Sequence, residues 1–225
     1  MRTIRRVQRP DADDGSLDAG DFSAWLRSAL SAIRDGAPSA VPCAGCTACC
    51  SSSQFVHIEP DEADVLAHIP AALLFPAPGR PHGHVLLGFD ERGHCPMLVE
   101  GGCSIYEHRP RTCRTYDCRV FAATGIEPGA AQVAIAHRAR RWRFREADAD
   151  ARAEQVAVES AGRSLDERRT RLAATPVPAD PTQLAVLAVD VHDVFLQPDG
   201  AGGLTVVDPG LDALADAVAR ATRPT

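Results

Sequence analysis

The chain has 225 residues, 45% of them hydrophobic and 24% charged, with a formal net charge of −6. At this length that is enough apolar material for a self-supporting core, which excludes whole-chain disorder and a fold stapled only because it is small. Lys and Asn are absent and all 24 basic residues are Arg, which excludes Schiff-base lysine chemistry and a Cys-His-Asn triad. The Arg-for-Lys and Ala-rich bias points to a GC-rich, bacterial source.

In chain order, residues 1–20 are polar, Asp-rich and aperiodic, and are expected to form a disordered leader. Met1 to Pro10 is basic, but acid and not an apolar segment follows it, so no secretion signal is read there. No stretch reaches the about 18 uninterrupted apolar residues of a membrane span. The expectation is a cytoplasmic chain without a membrane segment. Asp21 is set to cap a helix to about Arg34, with Phe22, Trp25, Leu26, Ala29, Leu30 and Ile33 on one face and Gly36 as its stop.

Residues 54–58 alternate like a short strand, and a helix is predicted from Glu59 to about His68. Pro70, Pro76, Pro78 and Pro81 make the following stretch an irregular loop. Short strands are predicted over 85–89, 95–99 and 103–106, joined by the turns Glu91-Arg-Gly and Glu100-Gly-Gly, with a short helix near 109–119. From Glu127 on, Ala, Arg and Glu dominate, and helices are predicted over 128–145, 148–173, 181–196 and 209–222. Asp180 and Pro181 open the third of these. The Gly200-Ala-Gly-Gly203 segment follows no strand of the kind a phosphate loop needs, and reads as a hairpin or linker.

All eight cysteines lie between Cys43 and Cys118. In a reducing compartment such a set reads as metal ligands rather than disulfides. The first group is Cys43-Ala-Gly-Cys46-Thr-Ala-Cys49-Cys50. Its tandem C-x2-C spacing folds readily around an ion and resembles the opening of a bacterial ferredoxin motif, but Cys50 follows Cys49 directly. In a helix all four would face one way within an arc of about 120 degrees. Zinc wants its sulfurs about 3.8 Å apart, closer than helical neighbours allow, so a helix suits a polynuclear cluster or two centres. In a loop, Cys49 and Cys50 point apart and serve different centres.

The second group, Cys95, Cys103, Cys113 and Cys118, is too widely spaced to close on itself and must fold over the first. Four plus four thiolates fit two four-coordinate centres, or one cluster with spare thiols. Arg109, Arg111, Arg114 and Arg119 lie among them and can offset thiolate charge.

The run from Cys43 to Cys50, then Cys95-Pro, then Cys103-Ser-Ile-Tyr-Glu-His-Arg-Pro-Arg-Thr-Cys113-Arg-Thr-Tyr-Asp-Cys118 resembles the CxxCxxCC cysteine-cluster family, also called YkgJ-like. Its members are described as zinc- or iron-chelating or as iron–sulfur proteins. The resemblance covers about 43–118. It implies metal binding through the eight cysteines and makes Tyr106, Arg109, Pro110 and Arg114 part of the motif. Flagellin lysine methylases carry a related cluster, which keeps a cluster-dependent, methyl-transfer type of protein-modifying enzyme among the alternatives.

His57, His94 and His108 lie in the same region and are read as surface or supporting groups rather than substitutes for thiolates. His82-Gly-His84 reads as part of a solvated loop. The Arg138-Ala-Arg-Arg-Trp-Arg-Phe-Arg145 run has the look of a nucleic-acid grip, but the acids that follow it and the acidic chain argue instead for a salt-bridged helix with Trp142 inward.

The expectation is therefore an α+β fold: a disordered leader over 1–20, a helix plus a Cys-rich metal-held module over 21–125, and a mainly helical region over 126–225 packing on it. The metal ligands are expected to be Cys43, Cys46, Cys49, Cys50, Cys95, Cys103, Cys113 and Cys118. The cofactor is an iron–sulfur cluster, of [4Fe–4S] type, in a redox or cluster-dependent role. The alternative is zinc in a non-catalytic interaction module. A protein or redox partner is expected, with no nucleic acid and no membrane. No catalytic residue is assigned.

Overall fold

The computed structural model describes residues 15–39, 41, 45–172 and 177–223. The expected leader over 1–14, one candidate ligand, Cys43, and part of the expected helix end near 173 lie outside the described residues.

The chain begins with strand β1 (Leu17–Asp21) and helix α1 (Phe22–Asp35). Asp21 caps α1 as expected, accepting from the Ala24 amide at 2.9 Å, and Gly36 ends it in the left-handed region. Residues 15–20 are not part of an unstructured leader. Leu17–Asp21 pairs in parallel with a strand more than a hundred residues away, β7 (Trp142–Arg145). That strand also corrects the helix expected over 128–145. A short helix, α5 (Val133–Ala139), comes first, and the basic run is then extended. Its Trp-Arg-Phe-Arg alternation is a period-two pattern. Trp142 turns into the core as expected, and Phe144 packs against it. Arg145 pairs with Asp18 across the ladder.

Between these ends lies a module of short elements: β2 (Val56–Ile58), α2 (Ala63–Ala67), β3 (Leu74–Pro76), β4 (Val85–Leu87), β5 (Leu98–Val99) and β6 (Gly102–Cys103). Strand β4 is central, antiparallel to both β2 and β3. Thus the stretch read as a proline-rich loop contains an edge strand, with Pro76 at its end, where a missing N–H is tolerated. The Glu100-Gly-Gly turn joins the β5–β6 hairpin as expected. The Glu91-Arg-Gly turn joins no hairpin, because β4 has spent both its edges on β2 and β3. Val56, Ile58, Val65, Ile69, Leu87, Met97 and Ile105 form this module's small core.

The helix expected near 109–119 is two: α3 (Arg111–Thr115) and α4 (Arg119–Thr124). Tyr116 is extended between them. The C-terminal elements are α6 (Ala149–Glu167), α7 (Pro181–Asp190), β8 (Leu196–Pro198), β9 (Leu204–Val206) and α8 (Leu211–Ala221). Asp180 caps α7 with Pro181 at its first turn, and the Gly200 segment is a hairpin turn between β8 and β9. Two further cores hold this frame. One joins α1, α4, α5, α6, α7 and β7 through Phe22, Trp25, Phe121, Ile135, Trp142 and Val158; the other joins α6, α7 and α8 through Leu165, Leu184, Phe195 and Leu214. The fold is α+β, with helices flanking the cysteine module. Among the described residues no helix is long and apolar enough to cross a membrane.

Candidate metal centre

The first cysteine group is not a continuous helix. Gly45 adopts a left-handed φ of 69°, and only Cys49–Ser51 makes a short 3-10 turn. Ser51 and Ser52 hydroxyls donate back to the Thr47 and Ala48 carbonyls at 2.8 and 2.7 Å, fixing that turn. Cys49 and Cys50 then enter different surroundings.

Cys113 lies within electrostatic reach of Cys50, Cys95 and Cys103. Burial pushes the Cys113 thiol up to about 12, and Cys50, Cys95 and Cys103 each raise it further, while Arg109 opposes the shift. A buried thiol that three other cysteines keep from ionising stands where a bound cation would relieve the cost. The surrounding backbone brings them there. The Cys95 amide donates to the Cys50 carbonyl at 2.7 Å, and the Ser53 amide to Gly93 at 2.9 Å. Gly93 has φ 78°, and a Cβ there would collide with the Ser53 hydroxyl, so this close approach requires glycine. Cys103 pairs with Leu98 in the β5–β6 hairpin. Burial also raises the Cys95 thiol, opposed by hydrogen bonds from the Met97 and Leu98 backbone to its sulfur. Such donors suit a thiolate.

Helix α3 carries Cys113 and is anchored by a carboxylate that sequence reasoning passed over. Glu62 has a side chain only 4% exposed. It accepts from the Arg111 amide at 2.6 Å and the Glu59 amide at 3.0 Å, so one residue caps α3 and closes the turn before α2. Arg111 pairs with Glu59 and Asp61. The Thr112 hydroxyl donates to the His57 carbonyl at 2.7 Å, tying α3 to β2. The motif residues now acquire positions. Arg109 lies over the Tyr106 ring at 3.7 Å and near Cys113, Pro110 precedes α3, and Arg114 donates to the Arg109 carbonyl at 2.8 Å.

Cys49, Cys46 and Cys118 lie instead against the core of α1, α4 and β7. Cys118 is 5% exposed, and the Trp142 indole Nε1 donates to its sulfur at 3.2 Å. Arg138 covers the Trp142 ring at 4.9 Å. Tyr116 is pushed well above the ordinary phenol range by burial, then by Cys49 and Cys118. Its hydroxyl is buried with no hydrogen-bond partner among the described residues. A buried donor beside two sulfurs and without an acceptor is the mark of a site that receives something. The segment is held by Asp117, which accepts from the Trp25 indole at 2.9 Å, from Ser39 at 3.1 Å and from Arg119 at 2.7 Å. The Arg119–Asp117 pair is 9% exposed on each side, and Arg119 also donates to the Ala19 carbonyl in β1. Trp142 and Asp117 were not singled out as parts of the site; an indole beside a cysteine is visible only after folding.

Among the described residues no three cysteine sulfurs all lie within 4.8 Å of one another. His57 meets His84, Nε2 to Nδ1, at 3.0 Å, and His108 Nδ1 lies 2.8 Å from Asp64 Oδ2. A separate cleft of about 570 Å³, lined by residues including Glu159, Arg163, Asp166 and Arg169, includes no cysteine in its wall.

Residues 42–134 match the model of the CxxCxxCC family, described as a "putative zinc- or iron-chelating domain". Zinc and iron are the two metals expected from the thiolates. No curated protein and no solved structure matched the chain.

Proposed function

On the premise that residues 42–134 are a CxxCxxCC domain, we propose that this chain holds two four-thiolate iron–sulfur centres rather than one cluster with spare thiols. One centre takes Cys50, Cys95, Cys103 and Cys113; the other takes Cys46, Cys49 and Cys118, with Cys43 as its fourth ligand. The observation that carries this reading is the parting of Cys49 and Cys50, neighbours in sequence whose thiols influence Tyr116 and Cys113 respectively.

Iron is favoured over zinc by the tandem C-x2-C spacing, which resembles the opening of a ferredoxin motif. The buried Tyr116 hydroxyl beside Cys49 and Cys118 supports the same reading, since a cluster offers it several sulfur acceptors. Such centres supply one-electron exchange when bound. The chain's own residues orient the thiolates, donate to Cys118 and Cys95, and cover the Cys118 centre with Trp142 and Tyr116. A redox partner protein is the corresponding interaction.

Anaerobic purification followed by a visible spectrum and counts of iron, sulfide and zinc tests the proposal. Two iron–sulfur centres per chain are expected, with Cys113→Ser and Cys118→Ser each losing one. A colourless protein with stoichiometric zinc and no sulfide overturns it, as does a Cys113→Ser variant that loses both centres while Cys118→Ser loses none.

A further inference from the structure

The geometry points to a second kind of metal site, a solvent-facing divalent-cation site of the zinc class formed by Asp64, His68 and His108. It owes nothing to the cysteines and does not depend on which metal they hold. Asp64 and His68 stand four residues apart on α2 and its C-cap, the spacing that places two side chains on one helical face. His108 arrives from the turn Tyr106–His108 before α3. The two imidazole rings stack with centroids 3.6 Å apart and planes 10° from parallel. Both present Nδ1 to Asp64. His108 Nδ1 lies 2.8 Å from Asp64 Oδ2, and His68 Nδ1 lies 3.9 Å from Oδ1 and 2.8 Å from the Asp64 carbonyl.

Among the described residues this is the one trio of His, Cys, Asp and Glu whose potential ligand atoms all lie within 4.8 Å. A tetrahedral ion with bonds of about 2.0–2.1 Å to nitrogen and oxygen sets its ligands about 3.3 Å apart. His108 Nδ1 stands 2.8 Å from Asp64 Oδ2 and His68 Nδ1 3.9 Å from Oδ1, each about 0.5–0.6 Å from that spacing. The donor set is two imidazoles and a carboxylate, which suits zinc and its neighbours rather than calcium or magnesium.

The proton balance is simple. A carbonyl and a carboxylate only accept, so in the metal-free state each Nδ1 carries its proton toward Asp64. When the ion takes both Nδ1 lone pairs, each neutral ring keeps its proton by moving it to Nε2, and none need be lost. Asp64 is already anionic: the hydrogen bond from His108 holds its carboxyl below the usual range. The rings must turn out of their stack for both in-plane lone pairs to meet one ion; with Asp64 at 73% and both histidines at 39% exposure, the side chains are open enough to water to do so and to leave a coordination position accessible.

The full chain, with its cysteine centres loaded, is to be equilibrated against buffered Zn2+ at neutral pH. Its zinc content is then compared with that of a His68→Gln/His108→Gln double variant. One additional zinc per chain in the unsubstituted protein is expected. In parallel, the 15N signals of His68 and His108 should move together on Zn2+ addition and return when a chelator removes the ion. Asp64→Asn keeps both rings, and should weaken zinc uptake at least tenfold. Equal zinc content in the two proteins, with imidazole signals that ignore Zn2+, overturns the site. Because the readout is a difference between proteins with identical cysteines, it is independent of the iron–sulfur reading.

Discussion

The two cysteine neighbourhoods are made of opposite materials. Around Cys118 lie Trp25, Phe121, Trp142 and Phe144, in a core continuous with α1, α4 and β7. Around Cys113 lie two-residue strands, turns and ion pairs, with a core of seven buried apolar side chains, of which only Ile58 and Leu87 are fully enclosed. A site in the first setting is positioned by packing that exists without metal. A site in the second is positioned by its ligands, because so small a core cannot offset the entropy of ordering the loops that carry them. The same chemistry thus sits on a rigid support on one side and a metal-dependent one on the other.

Removing metal should have the largest effect and expose this difference directly. Chelation under reducing conditions is expected to strip amide-exchange protection from β5, β6 and α3, while α1, α6 and α7 stay protected. Uniform loss across both regions would refute the contrast. Next come the two buried carboxylates. Asp117→Ala leaves Arg119 buried without its partner and should lower stability by about 3–5 kcal/mol, read in urea unfolding. Glu62→Ala should remove about 1–3 kcal/mol, the penalty of leaving the Arg111 and Glu59 amides unpaired. Metal loss should follow the neighbourhood: the Cys118 centre for Asp117→Ala and the Cys113 centre for Glu62→Ala.

A smaller effect follows from the thiols. Burial and then the neighbouring cysteines hold the Cys113 thiol up to about 12 against 9.0 for an unperturbed thiol, and a metal can take that sulfur only as its proton leaves. Metal uptake at the Cys113 centre should therefore strengthen as pH rises from neutral, which competition against a chelator at two pH values checks. Smallest is Trp142→Phe, which deletes one N–H···S bond at about 1 kcal/mol and should lower the midpoint potential of one centre only.

Much of this was legible in the chain. The Asp21 and Asp180 caps, the Gly36 stop and the cysteine spacing are local signals, and each appears where local chemistry put it. The alternative posed for Cys49 and Cys50 was also legible, since adjacent residues outside a helix diverge. What escaped was tertiary. The β1–β7 pairing depends on residues more than a hundred positions apart, and its alternating Trp142 and Phe144 were masked by Arg-rich composition. Glu62 reads as one acid among four in Glu59-Pro-Asp-Glu-Ala-Asp64; only folding selects it for burial. Trp142 lies beyond residues 42–134, so the helical frame contributes to the metal region more than a covering surface.

The β1–β7 clasp has a consequence for the order in which the chain assembles. Leu17 pairs with Trp142, so the ladder closes a loop that contains every cysteine and more than half of the chain. Closing so long a loop is entropically slow and comes late unless something inside shortens it. Metal capture would be such a shortcut: the proposed centre joining Cys50 to Cys113 would remove about half of that loop before the strands meet. Metal supply during synthesis would then set how soon β1 meets β7 and how long the Trp142 indole stays open to water, rather than whether the two strands meet.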